Sequence, residues 1–343
     1  MTITGKITTS IQQCDVDNVW RAFFFMLLML VYPVVLNAQT CCSGGVPLGG
    51  SLGLGAAEGK SLQVLLTYDY NAINDLVSFS EELDDDTRSR TTQSSIIELN
   101  YGLNQRFSLT SVVPFIKQTR TIQGFEGNED FTATQGLGDV VLLAKYRLLN
   151  TEKNPQTEWV IGAGPKFPTA KTDFTNNQGL VLPADMQPGS GSFDGIFWSY
   201  FLKSRLLNNP NLGLAAVTAF RYSGENKNYN TTQTYQFGNE FQFSLGLNYN
   251  FFLKWPVDVF TFARYRFQGE DLIDGGVFPS SGGQWVYVIP GLNINFSPLW
   301  SMRLSGDIPV YRKLEGTQLT TSYKLTAAIL FNIPFKKNDL IIH

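Results

Sequence analysis

Histidine is almost missing from this chain: its 343 residues include one, His343, the last. A Ser-His-Asp triad needs an imidazole held beside its serine by surrounding structure, and a terminal residue is badly placed for that. Zinc sites built from histidines are disfavoured on the same ground. No paired-carboxylate motif of the kind used in glycoside hydrolysis stands out. The expectation is therefore a protein that is not an enzyme, with no catalytic residues, no cofactor and no metal. Charge is also scarce: 16% of residues are Asp, Glu, Lys or Arg, the net charge is −3, and no basic cluster occurs. That argues against a nucleic-acid partner. After Ala38 there is no unbroken apolar run long enough to span a bilayer as a helix, which argues against a helical membrane protein.

Cysteine is rare as well, with three in the chain. Cys14 lies in a segment that reads as a targeting signal. Arg21 precedes an apolar core, Ala22–Leu36, followed by Asn37, Ala38 and Gln39, the layout of a secretory signal cleaved after Ala38. Leu36 at the −3 position is larger than is ideal, the polar lead Met1–Trp20 is long, and Met26 is an alternative start. The expected divisions are 1–38 signal peptide, 39–60 Gly-rich periplasmic lead, 61–335 folded body and 336–343 tail. Lys6 and Arg21 balance Asp15 and Asp17, so removing the signal leaves the net charge unchanged. Cys41 and Cys42 read as a flexible vicinal pair in an oxidising compartment. A lipid-modified cysteine is the alternative, although Gln39-Thr40 departs from the small residues such a signal carries. A metal role for two thiols with no nearby histidine is weaker. The stretch Ser43–Gly59, SGGVPLGGSLGLGAAEG, reads as a flexible lead on composition. A segment folded into the mouth of the body is the sharper alternative.

Aromatics are plentiful: 26 Phe, 14 Tyr and 6 Trp. The stretch Thr317–Phe335 shows how they are used. From Leu319, every second residue (Leu319, Thr321, Tyr323, Leu325, Ala327, Ile329, Phe331, Ile333, Phe335) is apolar except Thr321, while the alternate residues are mostly small or polar. A period of two marks a strand with one apolar side. The run exceeds the usual strand of about 5–6 residues and suffices for a tilted bilayer crossing of about 9–11. Unpaired backbone is too costly in lipid, so such a strand implies a closed barrel.

The same alternation recurs over Ser61–Tyr70, Ser94–Leu103, Phe107–Thr119, Leu137–Leu149, Thr157–Phe167, Ser192–Ser204, Leu212–Tyr222, Tyr235–Asn250, Val257–Phe267, Trp285–Phe296 and Trp300–Val310. Over Tyr235–Asn250, Phe237, Phe241, Phe243, Leu245, Leu247 and Tyr249 oppose Gln236, Glu240, Gln242, Ser244 and Asn248. Ser192–Ser204 is aromatic on both faces, and its orientation is open. Short connections such as Asn104–Arg106 and Ser297–Leu299 alternate with longer polar ones at 71–93, 120–136, 168–191, 223–234 and 268–284. Short periplasmic turns, long external loops and an even strand number describe an outer-membrane barrel. The expected fold is all-β: an antiparallel up-and-down transmembrane β-barrel of about 12 strands in the bacterial outer membrane. Outer-membrane lipid and the barrel assembly machinery are its expected partners. The acidic run EELDDD at 81–86 reads as a solvated loop, because its spacing does not match an EF-hand.

If the apolar faces meet lipid, the lumen receives the charges. These are Glu98, Lys117, Asp139, Lys145, Arg147, Glu158, Lys166, Arg221, Glu240, Asp258, Arg264, Arg266, Arg303, Asp307 and Lys324. Phe260 and Phe262 share a face with Arg264 and Arg266. The candidate pathway residues are Lys145, Arg147, Lys166, Glu240, Phe260, Phe262, Arg264, Arg266, Arg303, Asp307 and Lys324. Two readings stay open: ion pairs that brace the barrel, or a polar passage whose cations favour anionic or amphipathic solutes. An aromatic step beside cations suits a solute with an apolar body and an acidic end, and it could equally fill a narrow lumen. Twelve strands fall between barrels of about eight, filled by side chains, and those of about 16–18 with a wide pore. A narrow passage for a small-molecule solute is expected; the alternative is a structural or surface-interaction barrel with a closed lumen.

Three segments carry a resemblance: GLGDVVLLAKYRLL at 136–149, GPKFPTAKTDF at 164–174 and LPADMQPGSGSFDG at 182–195. Gly-Leu-Gly-Asp entering a strand, Lys-Phe-Pro at a strand end, and Gln-Pro-Gly-Ser-Gly before the next strand resemble the outer-membrane transporters of the family named for the MetA pathway of phenol degradation. The resemblance implies a β-barrel that passes small, often aromatic or apolar, compounds, and it implies no catalytic residues. The CysCys lead and the tail Lys336–His343 depart from the family pattern.

Overall fold

The computed structural model describes residues 54–124, 128–149, 156–176 and 178–335. The expected signal peptide, Cys41–Cys42, most of the Gly-rich lead and the tail lie outside the described residues. Twelve long strands form the body: β1 (Ser61–Ile73), β2 (Arg88–Gly102), β3 (Phe107–Gln123), β4 in two segments (Glu129–Leu137 and Val140–Leu149), β5 (Thr157–Phe167), β6 (Asp194–Lys203), β7 (Leu212–Tyr222), β8 (Glu240–Phe252), β9 (Pro256–Gln268), β10 (Gly283–Ser297), β11 (Trp300–Leu314) and β12 (Tyr323–Pro334). Each pairs antiparallel with its sequence neighbours, and β1 pairs with both β2 and β12, with Leu62 opposite Ile333 and Tyr70 opposite Leu325. The sheet is closed and has no free edge at its seam.

Burial runs opposite to that of a soluble protein. On β8, Glu240, Gln242 and Ser244 are buried while Phe243, Leu245 and Leu247 are exposed. On β2, Ser94, Glu98 and Asn100 are buried while Ile97, Leu99 and Tyr101 are exposed. An apolar outer face around a polar interior fits lipid as the surrounding solvent. β6, aromatic on both faces, is also oriented. Ile196 is buried, and the Lys145 ammonium lies 4.5 Å from the centroid of the Trp198 ring. Ser199, on the opposite face, accepts from Trp159 Nε1 at 3.1 Å on the exposed side. Trp198 and Tyr200 therefore face inward, and Phe197 outward.

Three expectations are corrected. The last strand is two strands. Thr317–Thr320 pairs with Asp75–Ser78 in a small sheet beyond the wall, and Tyr323–Pro334 alone joins the barrel. The alternation fails at the join, where Thr320 and Thr321 are both buried. Ser322 Oγ donates to Asp75 and accepts from the Asn74 amide, which turns the chain there. The eighth strand likewise begins at Glu240. Tyr235 belongs to the short strand Gln233–Gln236, and Phe237 is buried against Tyr235 rather than facing lipid. Gly238 N donates to Asp271 and Ser223 N to Asn239, which ends the wall locally. Lys117 stands on the exposed outer face of β3, opposite Gln93 and Gln135. It sits near the external rim, where a long lysine stem can carry its ammonium to water.

Placing an arginine at the middle of the outer face tests this inside-out packing. Leu245→Arg is expected to lower stability by about 2–4 kcal/mol in urea titrations in lipid vesicles. Ser244→Ala, one residue away on the inward face, is expected to cost less than half as much.

Candidate functional site

The three resembling segments meet at one place. The break in β4 falls at Gly138–Asp139, and the Asp139 carboxylate turns inward. Its Oδ2 accepts from Lys166 Nζ at 2.7 Å, Ser190 N at 2.9 Å and Ser190 Oγ at 3.0 Å, and its Oδ1 accepts from Ala170 N at 3.2 Å. Lys166 also pairs with Asp194 at 3.0 Å and donates to the Ser192 carbonyl at 3.2 Å. Asp194 Oδ1 accepts from Ser192 Oγ at 2.7 Å and Gly224 N at 3.0 Å. One ammonium and two carboxylates are thus enclosed at 0–1% side-chain exposure. A buried pair is tolerable when further donors satisfy its lone pairs, and here the loop backbone supplies them. A Cβ at Gly189 would lie 2.5 Å from Asp139 Oδ1, so the Gly-Ser-Gly spacing admits the carboxylate.

This cluster anchors the loop between β5 and β6, which crosses the external mouth. Leu182, Ala184, Met186 and Gln187 are buried. On one side Arg90 donates to the Asp185 carboxylate and carbonyl and to Gln118 Oε1. Gln118 Nε2 donates to the Gln187 carbonyl at 3.1 Å and Thr134 Oγ1 to the Met186 carbonyl at 2.7 Å. On the other side Ala184 packs with Tyr235 and Phe237, flanked by Tyr229 and Ile273.

Below this lid the interior carries paired cations against aromatic rings. Glu240 accepts from Arg266 at 2.7 Å and pairs with Arg221 at 3.1 Å. Arg264 donates to Asp307 at 2.8 Å, and Lys324 pairs with Asp69 at 3.0 Å. Arg266 lies 4.7 Å from the Trp285 ring, Arg264 5.9 Å from Tyr287 and Arg303 5.5 Å from Phe260. Phe262 meets Phe260 edge-on at 5.7 Å. Registers place these groups in descending order along β9 and β10: Arg266 opposite Trp285, Arg264 opposite Tyr287, Phe262 opposite Ile289 and Phe260 opposite Gly291. Gly291 and Gly246 leave room for the rings of Phe260 and Phe262, since a Cβ at either would meet ring carbons at 2.3–2.4 Å. The rings therefore lie against the wall.

At the periplasmic end the chain just before β1 turns into the body. Leu54 O accepts from Lys145 Nζ at 3.1 Å, Gly55 O from Asn100 Nδ2 at 3.1 Å, and Ala56 O from Arg147. Arg147 also donates to Glu158 at 2.9 Å, and Lys145 lies 3.7 Å from Glu98. The last residues of the Gly-rich lead thus fill the mouth beside β2, β4 and β5.

Of the pathway candidates, Glu240, Phe260, Phe262, Arg264, Arg266 and Asp307 are brought together with Arg303 on the β8–β11 side. Lys145 and Arg147 hold the incoming chain, Lys166 holds the lid, and Lys324 pairs across the β12–β1 seam. Sequence reasoning missed Asp69, Arg90, Asp185 and Asp194 as partners. Asp194 was visible in the motif GSGSFDG, though its partner was not.

A model of the family described as MetA-pathway of phenol degradation matches residues 93–327. Among solved structures, an outer membrane channel from Pseudomonas putida F1 is similar at 14% identity and a TM-score of 0.63, covering 84% of this chain and 100% of its own. A Pseudomonas aeruginosa FadL homologue is similar at 10% identity and a TM-score of 0.41, covering 88% of this chain and 100% of its own. The Pseudomonas putida toluene transporter TodX is similar at 10% and 0.38, covering 81% and 90%. The first likeness is one of fold; the other two are too distant in geometry to carry an argument. No curated protein matches the chain.

Lys166→Met leaves two carboxylates buried without their cation. Such a loss is expected to cost about 3–5 kcal/mol, read as a lower melting temperature and as new proteolytic cleavage within 168–193. In the external loops, burial, the largest influence, raises the Asp271 carboxyl above its ordinary 3.8, against lowering by the Tyr235 hydroxyl and the Gly238 amide. The folded loop then binds this proton more tightly than the unfolded one does. Its stability is highest at acid pH and falls as pH rises from 3.8 through the raised value. Hydrogen exchange over 233–239, corrected for intrinsic rate, is expected to be slower at acid than at neutral pH.

Proposed function

The chain belongs to the MetA-pathway of phenol degradation family, and from that premise we propose that it is a bacterial outer-membrane channel through whose narrow lumen small organic solutes diffuse. The observation that carries this reading is the descending series on β9 and β10. Guanidinium groups lie over aromatic rings, and two of the rings are seated on glycines so that they flank the lumen wall. Such a surface holds an apolar body weakly by stacking and an acidic end by charge, and weak serial contacts permit passage. Aromatic or amphipathic anionic solutes fit it best. The name of the similar protein, an outer membrane channel, accords with this class.

A second reading, a structural or surface-interaction barrel with a closed lumen, draws on the lid and on the chain packed into the periplasmic mouth. Flux into liposomes separates the two. The channel reading expects a small aromatic alcohol to enter faster with the protein than without it. Absence of both conductance and solute entry, in the full chain and in a chain lacking residues 39–60, overturns it. Exchanging the cations tests the pathway: Arg264→Gln with Arg266→Gln is expected to shift the reversal potential toward cation preference. An unchanged potential removes these residues from the path.

A further inference from the structure

The periplasmic mouth is asymmetric. Beside β2, β4 and β5 it is filled by the backbone of 54–57, held through three carbonyls by Asn100, Lys145 and Arg147. On the opposite side, between the β8–β9 and β10–β11 turns and β12, lies a cavity of about 580 Å³. That volume is of the size that takes a small organic ligand.

The polar lining of this cavity is cationic or neutral. Its cations are Arg303 and Lys254, and its neutral groups are Asn293, Asn295, Ser297, Ser301 and Asn332; no carboxylate is among the residues that line it. Asp258, the nearby acid of β9, is capped: Asn250 Nδ2 donates to its Oδ1 at 2.6 Å, and Asn293 and Asn295 Nδ2 donate to its Oδ2 at 3.3 and 3.1 Å. The amide oxygens are also engaged. Asn295 Oδ1 accepts from Asn293 at 3.0 Å, and Asn332 Oδ1 accepts from Gln63 at 3.0 Å. Asn332 therefore offers its Nδ2 protons to the cavity. Arg303 joins the cavity to the aromatic step, since its guanidinium lies 5.5 Å from the Phe260 ring.

A chamber that holds Arg303 and the Asn332 amide, with the neighbouring Asp258 carboxylate capped by three asparagines, suits a planar acid. We propose that this vestibule binds the carboxylate of a small aromatic acid, with Arg303 and Asn332 as the anion-binding pair and the Phe260 ring behind the Arg303 guanidinium. The proposal rests on the channel reading for its place on a passage, and the binding itself requires no transport.

Titration of the full chain in detergent micelles with benzoate at neutral pH, followed by ligand-observed saturation-transfer NMR, tests it. Benzyl alcohol serves as the uncharged counterpart. Benzoate is expected to bind at least about tenfold more tightly than benzyl alcohol, the scale of a charge-assisted hydrogen bond. Arg303→Gln is expected to remove that advantage while leaving benzyl alcohol unchanged, and Arg303→Lys to restore part of it. Asn332→Leu, which spares the arginine, is expected to weaken benzoate alone and carries the test if Arg303→Gln fails to give the folded band in unheated gels. Equal affinity for the two ligands, or benzoate binding unaffected by both Arg303→Gln and Asn332→Leu, overturns the proposal. Liposome flux measured in parallel keeps the two readings apart. Benzoate binding without flux of any solute defeats the channel and not the site, whereas flux of neutral aromatics without preferential benzoate binding defeats the site and not the channel.

Discussion

Every part of this molecule depends on the pairing of β1 with β12. Lipid offers no hydrogen bonds, so an unpaired strand edge in the hydrocarbon costs several kcal/mol per group. The seam from Ser61–Pro334 to Ala72–Tyr323 removes that edge. Closure then dictates composition. Each strand has one face in lipid and one in an enclosed space, so apolar residues move out and polar ones gather inside. The interior can hold so many charges because the wall that surrounds them leaves each near a partner.

Charge inside the barrel is paired within layers. At the outer mouth, Lys166 joins Asp139 and Asp194; midway, Arg221 and Arg266 share Glu240, and Arg264 joins Asp307; lower down, Arg147 joins Glu158. Pairing fixes the long side chains against the wall, and the aromatic faces beneath the guanidinium groups do the same. Bracing and passage are therefore compatible. Cations that are paired and flattened along β9 can still present their edges to a solute, whereas unpaired ones projecting inward would close so narrow a lumen.

Much of the fold was legible, because period-two alternation is a direct print of a wall with two solvents. The strands at Thr157–Phe167 and Leu212–Tyr222 run between the residues that alternation marked. It misled wherever strands left the membrane. Thr317–Thr320 and Gln233–Gln236 keep a strand's rhythm while pairing outside the wall, and rhythm does not report the partner. Lys117 was misplaced because charge was equated with the lumen, and near the rim a lysine can face outward. The site was harder to read. The motifs around Asp139, Lys166 and Asp194 were visible as resemblance, but their meeting depends on strand register and loop path. The docking of 54–57 left no mark in composition, since its contacts are made by backbone carbonyls.

The lid anchor has one more consequence. Asp139, Lys166 and Asp194 stand on three neighbouring staves, and Gly224 follows a fourth, β7. Side chains alternate faces at every residue, so sliding the strand that carries Lys166 or Asp194 by a single step would turn its charged group to the outer face and leave the others stranded. The cluster thus works as a vernier for the wall: it reads the alignment of four staves at once and closes at a single setting. In a sheet whose outer face is uniformly greasy and tolerant of slippage, it sets how far each strand is drawn through the membrane.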